Sequence, residues 1–423
     1  MKRRDFLAAA AALLTVDAIA APAKSSSNKK KAGSTAKPAA TKSKKSTAST
    51  SKKKPATRSS GTSYRPAVQS AENSVVDNPP EGTSASRLPP VRPPELPSDW
   101  RTFEIVTTIN LKAASQARTR LWLPLPFAQD TLYQRTLSHA WQGNPLNAAM
   151  RRQPDGELEI LFCDWRPEDD ASLRLTTHVT TADRHFDVTR RTVAPERDDI
   201  LRRYLQSSRH IPNEGLSRQL GERIVGRIKD PVAQAKAIYD WVVENSIYDP
   251  TLPGCGTGDI NKQLINGRYG GRSADINGMF VSLCRSIGIP ARTVQGLRVG
   301  RSRLFQSLGL RGDEATRAQH VRAEFYIPGY GWIPVDPSDV RRAMSREVLS
   351  DTDSRLISLK RVLFGVWEMN WIALNIGSDV RLPDHNGVLP FLLHPRMTQG
   401  NQLLSDENPA TTPYTISARQ VEL

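Results

Sequence analysis

Cysteine is scarce in this 423-residue chain, which has only Cys163, Cys255 and Cys284. At most one disulfide can form, even in an oxidising compartment, and at least one thiol is left over. No pair has metal-ligand spacing and no His-Glu-x-x-His occurs, so neither a zinc centre nor any other metal or cofactor is expected. No acidic loop of the calcium-binding kind is present. Long apolar runs are also missing: a bilayer span needs about 20 such residues, and the stretch from Phe6 to Val16 falls well short of that. Acid is absent from residues 22–70, which hold thirteen Lys or Arg; residues 1–21 contribute +1, so only +2 of the net +16 belongs to residues 71–423. A nearly neutral remainder removes nucleic-acid binding as the meaning of the charge.

At the N-terminus, Lys2-Arg3-Arg4-Asp5-Phe6-Leu7 precedes an Ala/Leu run that ends in Ala18-Ile19-Ala20. This is the order of a signal peptide over residues 1–21, and the adjacent arginines resemble a twin-arginine signal. Export to the periplasm or cell envelope is expected, with cleavage near Ala20 or Ala21 and no transmembrane segment afterwards. The plainer alternative is a chance arginine pair before a buried helix. Residues 22–98 are Lys, Ser, Thr, Ala and Pro with almost no large apolar side chain. Such a linker cannot offset its ordering entropy and is expected to be disordered. It either contacts anionic envelope polymers or serves as a solvated spacer.

Alternation begins near Trp100, where Phe103, Ile105, Thr107 and Ile109 share one face, and it returns at Thr119–Leu123, Leu158–Phe162 and Leu173–Val179. Short strands between Pro, Asp and Gly predict a sandwich-like, β-rich domain over residues 99–195. The period then changes. Asp230-Pro231 starts a helix carrying Ala235, Ile238, Trp241 and Val242 on one face. A second helix, with Ser273 read as its N-cap, is predicted over Ala274–Ile287, where Phe280, Leu283, Cys284 and Ile287 form the stripe and Gly288-Ile289-Pro290 the stop. Strands follow at Thr293–Leu297, Val321–Ile327 and Trp332–Val335, the last two as a hairpin. Helices followed by strands predict an α+β core over residues 196–345, with residues 346–423 packed on it as an extension.

The run Gly270-Gly271-Arg272-Ser273-Ala274-Asp275-Ile276-Asn277, continued through Phe280 to Arg292, resembles the central motif of transglutaminase-like proteins. In that family a cysteine opens the helix, and a His and an Asp on two later strands complete a triad. His320 and Asp336 match the latter two positions, and Ser273 stands where the cysteine is expected. The segments Gly254–Ile260 and Trp367–Trp371 resemble features of exported bacterial members. The resemblance implies a papain-like core and acyl transfer at amides, by transamidation or hydrolysis, with peptide or protein amides as substrates and cell-wall stem peptides among the options.

The placement also makes sense without the family. The first turn of a helix presents unpaired amide hydrogens that favour developing negative charge, and the backbone N–H of residue 273 is the natural oxyanion donor. Serine, however, is a far weaker acid than cysteine, so a helix end alone cannot ionise it and a base must remove its proton. Three readings of Ser273 stay open: lost covalent chemistry, a working serine nucleophile, or a cysteine replaced by design. The corresponding functions are an amide-acting enzyme using Ser273, His320 and Asp336, and a non-catalytic module that keeps the cleft for peptide or cell-wall binding. Cys284 falls on the apolar stripe and reads as core, Cys255 as a turn residue and Cys163 as packed in the β-domain. Arginines 298, 301, 303, 311, 317 and 322 form either an acidic-substrate patch or a solvated basic face.

Overall fold

The computed structural model describes residue 97 and residues 99–422, apart from 114–115, 154–155, 187–192 and 405–412. The expected leader and nearly all of the expected linker lie outside the described residues. No helix among the described residues is long and apolar enough to cross a membrane.

The alternation near residue 100 becomes the strand Trp100–Leu111, which pairs along its whole length with Ala171–Ala182. In the latter strand Ala171, Leu173 and Leu175 point inward while Ser172 and Arg174 are exposed, the period-two pattern of a half-buried strand. These two strands centre a four-stranded antiparallel sheet, with Gln134–Gly143 on one edge and Tyr414–Val421 on the other. A five-stranded sheet packs against it, ordered Gln402–Leu403, Arg396–Gln399, Thr119–Pro124, Leu158–Trp165, Asn147–Gln153. Phe103, Ile109, Leu121, Leu161, Leu173 and Met397 fill the space between the sheets. The C-terminal segment therefore supplies strands to both layers.

A third antiparallel sheet runs in the order Gly331–Val335, Gln319–Ile327, Ala291–Arg298, Trp371–Asn375. The helix Ser273–Ser286 lies against it with all of its residues buried. On its other side is the helix Pro231–Asn245, whose start is set by Asp230 accepting the Ala233 N–H at 2.7 Å, with Pro231 in the first turn. Ile238, Phe280, Leu283, Phe325 and Ile333 meet in the resulting core. Each such side chain contributes about 1.5–3 kcal/mol on burial. The α+β class is the expected one.

Two local readings change. Arg272, not Ser273, is the N-cap of the central helix, and Ser273 is its first residue. The Asp275 carboxylate accepts the Arg272 N–H at 2.8 Å and takes the capping role three residues along. Strands Gln134–Gly143 and Asn147–Gln153 had no alternation to read, because as edge strands they leave most side chains exposed. Trp332, in the predicted hairpin, lies away from the helix start and packs edge-on against Tyr204 with the Arg292 guanidinium stacked on its ring.

Candidate functional site

The site forms where the start of the central helix meets the Gln319–Ile327 strand. The Val321 N–H donates to Ser273 Oγ at 3.1 Å, and Asn277, one turn further along the helix, donates its side-chain amide to the Val321 carbonyl at 2.6 Å. Residue 321 is thus fastened to helix positions four apart, which fixes His320 beside Ser273. The Nε2 of His320 lies 2.7 Å from Asp336 Oδ2. Of the three sequence-derived residues, the structure joins His320 to Asp336 directly, and Ser273 to the strand one residue beyond His320. Among the described residues no hydrogen bond links Ser273 to His320.

Asp336 is held on every side. It caps the helix Pro337–Arg346, accepting the Asp339 N–H at 3.1 Å, and its Oδ1 also receives Ser338 Oγ at 2.7 Å and Asn277 Nδ2 at 3.1 Å. The next acid, Asp339, pairs with the buried Arg298 at 2.6 Å, and Arg322 Nε approaches Asp336 at 3.6 Å. Burial pushes the His320 pKa well below the ordinary imidazole value, and the guanidiniums of Arg298, Arg322 and Arg342 act in the same direction against the pull of Asp339. The ring is therefore neutral at neutral pH. With Nε2–H given to Asp336, Nδ1 carries the lone pair that can take a proton.

His320, Asp336 and Asp339 place their ligand atoms within 4.8 Å of one another, the spacing of a metal site. Their oxygens are already engaged by Arg298, Asn277, Ser338 and a helix N–H, and two guanidiniums stand where a cation would need negative charge. The donor set fits an ion-paired network and not a cation.

The glycines and tryptophans of the sequence motifs have physical jobs here. Asp275 reaches out of the central helix to accept the Gly258 N–H at 2.9 Å and the Thr257 hydroxyl at 3.3 Å, which ties the Gly254–Ile260 turn to the start of the helix. A Cβ on Gly256 (φ +90°) would sit 1.7 Å from Asp275 Oδ2, and one on Gly271 (φ +126°) 2.3 Å from it. Only glycine leaves room for that carboxylate. Trp371 donates its indole N–H to the His320 carbonyl at 3.1 Å, and Trp367 donates to the Val335 carbonyl, next to Asp336, also at 3.1 Å. The Trp367–Trp371 segment thus holds both strands that carry the pair, and Trp371 is itself buried.

All three cysteines are buried, and none is in a disulfide. Cys284 is enclosed in the helical core and Cys163 in the sandwich; burial raises both thiols, Cys163 to about 12, so neither is poised as a thiolate. Arg298 and Arg322 are buried against Asp339 and Asp336, and Arg303, at the surface, is paired with Asp183, so these three form no open basic patch.

Sequence reasoning missed the cavity. A cavity of about 830 Å³ opens beside the helix start, lined by Arg272, Cys255 and Gln319, the neighbours of Ser273 and His320, together with Arg317, Arg346, His394 and Arg396. Of these arginines only Arg317 belongs to the basic stretch singled out in the sequence; Arg272, Arg346 and Arg396 are spread over more than a hundred positions and carry no local signal.

Residues 218–337 match the family model described as the transglutaminase-like superfamily. An uncharacterized protein of Haemophilus influenzae is 31% identical over 349 residues, covering 78% of this chain and 94% of that protein. The chain belongs to the same family as the Haemophilus protein, and its core is a transglutaminase-like domain. Among solved structures, a candidate cysteine protease from Cytophaga hutchinsonii is 19% identical, with 76% of this chain and 99% of that one covered and a TM-score of 0.45. The periplasmic domain of TgpA from Pseudomonas aeruginosa is 18% identical, with 58% and 93% covered and a TM-score of 0.31. Both scores fall below 0.5 and add nothing to the family assignment.

Proposed function

We propose that this protein is exported and acts on peptide amides by acyl transfer, with Ser273 as nucleophile in the place where relatives of this fold use cysteine. Ser273 Oγ attacks the amide carbonyl carbon while its proton passes to His320 Nδ1, and Asp336 stabilises the imidazolium that forms. The C–N bond then breaks as His320 returns the proton to the leaving nitrogen, leaving an acyl ester on Ser273 that water or an amine removes. The backbone N–H of Ser273, in the first turn of the buried helix, faces the developing oxyanion.

The observation that carries this reading is the His320–Asp336 pair, set at 2.7 Å in a buried, arginine-flanked pocket that keeps imidazole neutral. A cysteine system works through a thiolate beside an imidazolium; a hydroxyl nucleophile needs a neutral base, which is the state this pocket favours. A second reading, a binding module that keeps the cleft without covalent chemistry, is favoured by one contact: Ser273 Oγ is engaged by the Val321 N–H instead of by His320.

Intact-mass spectrometry after exposure to an activated peptide ester, followed by fragment mapping, separates the two. The first reading requires one acyl adduct on Ser273, lost in Ser273→Ala and in His320→Gln. If the natural protein stays unmodified while Ser273→Cys is labelled by the same ester and by iodoacetamide in a His320-dependent way, the cleft is intact and the module reading holds.

A further inference from the structure

Arg298 and Arg322, the arginines sealed in beside His320, each lie against a carboxylate, but those around the cavity beside Ser273 do not. Arg272, Arg317, Arg346 and Arg396 converge on it, and among the described residues no Asp or Glu lines it. None of the four makes a salt bridge among the described residues: Arg272 is spent on the carbonyls of Pro250 and Leu252, and Arg396 Nε donates to His385. Arg317 and Arg346 are exposed at the rim. Four like charges around one cavity repel one another and raise the local concentration of anions.

A second observation points the same way. Gln319, adjacent to His320, is 8% exposed and lines the cavity, yet neither its amide nitrogen nor its amide oxygen has a hydrogen-bond partner. The Nε2 of His394, on the same wall, is also buried without one. Buried polar groups are nearly always satisfied, so a set left open at one cavity marks where a polar guest completes the bonding. A peptide segment supplies what is missing: its amide groups pair with Gln319, and a carboxylate takes the arginines, whose planar forks suit it.

Resting on the acyl-transfer reading, we propose that the cavity selects acidic peptides, binding a carboxylate on the substrate chain within a residue or two of the amide that meets Ser273. A volume of about 830 Å³ holds a short peptide segment and is larger than a lone carboxylate needs. The selecting residues come from both sides of the reaction centre. Arg272 precedes the nucleophile, Arg317 and Gln319 precede the histidine, and Arg396 belongs to the sandwich sheet.

The test uses the full chain as Ser273→Ala, so that binding is read without turnover, and two fluorescein-labelled peptides with blocked C-termini, Ala-Gln-Glu-Ala and Ala-Gln-Gln-Ala. Anisotropy is expected to show the glutamate peptide binding about tenfold or more tighter, as charge-assisted hydrogen bonds allow, with the preference shrinking as salt rises. Adding Arg317→Gln and Arg346→Gln, two exposed positions whose loss does not threaten folding, is expected to abolish the preference. Equal affinity for both peptides overturns this inference and leaves the acyl-transfer reading standing. Binding of neither peptide overturns both. A glutamate preference in a protein whose Ser273 is never acylated keeps the recognition inference and removes the chemistry.

Discussion

The two sides of Ser273 are built on opposite principles. Toward Asp336 and Asp339 the protein is closed: His320, Arg298, Arg322 and two carboxylates are all but sealed from solvent and bonded to one another. Toward Arg317 and Arg396 it is open, and its charges have no salt-bridge partners among the described residues. A buried charge is tolerated only when paired, and a paired network is rigid because every member has one low-energy place. The closed side therefore fixes geometry. The open side keeps its electrostatics unspent for something that arrives from outside.

This contrast can be broken by mutation. The largest loss of stability is expected from Asp336→Ala, which strands His320, Arg322 and the start of the helix Pro337–Arg346 at once. Removing one partner of a buried pair costs about 3–5 kcal/mol, readable as a drop in the denaturant midpoint. Gly256→Ala comes next, because the added methyl meets the Asp275 carboxylate 1.7 Å away and the residue has φ +90°. A loss of about 1–3 kcal/mol is expected by thermal unfolding. Asn277→Ala, which removes the bonds from the helix to Val321, Asp336 and Ser338, is expected to cost about 2 kcal/mol and to slow acylation more than the stability loss explains. On the open side, Arg317→Gln with Arg346→Gln is expected to leave unfolding within about 0.5 kcal/mol of the parent.

The closed side also predicts a pH response with a definite sign. Because burial and the guanidiniums hold His320 below its ordinary value, the unfolded chain takes up a proton near pH 6.5 that the folded chain refuses. Stability must then fall as the solution is acidified through about pH 6.5, and His320→Gln is expected to flatten that slope. His394, held at about 4 by burial, adds a similar contribution, so the comparison to make is parent against His320→Gln across the same titration. Acylation of Ser273, which needs the neutral ring, is expected to stay constant from pH 8 down through 6.5 and to decline only below.

The sequence made some of this legible. The central helix was readable because its apolar stripe ends at Gly288, where φ is +87°, and the sandwich strands because inward and outward side chains alternate. His320 and Asp336 were found through the motif. Their supports were not, since Asn277 meets Asp336 across 59 positions and Arg298 meets Asp339 across 41. Such partners share no period or local signal. The strand Tyr414–Val421 went unread although its burial alternates, because its partner lies three hundred residues away at Trp100–Leu111. The cavity was missed for a related reason: Arg317 stood out in the basic stretch before His320, but Arg272, Arg346 and Arg396 carry no pattern until the fold gathers them beside it.

The most direct test of the account is a stopped-flow measurement of leaving-group release from an acidic peptide anilide, at enzyme concentrations high enough to resolve the first turnover. The account requires a burst of one equivalent in the natural protein, abolished by Ser273→Ala and by His320→Gln. Absence of any burst in the natural protein, alongside a full burst in Ser273→Cys, would contradict it and leave a cleft that binds without reacting.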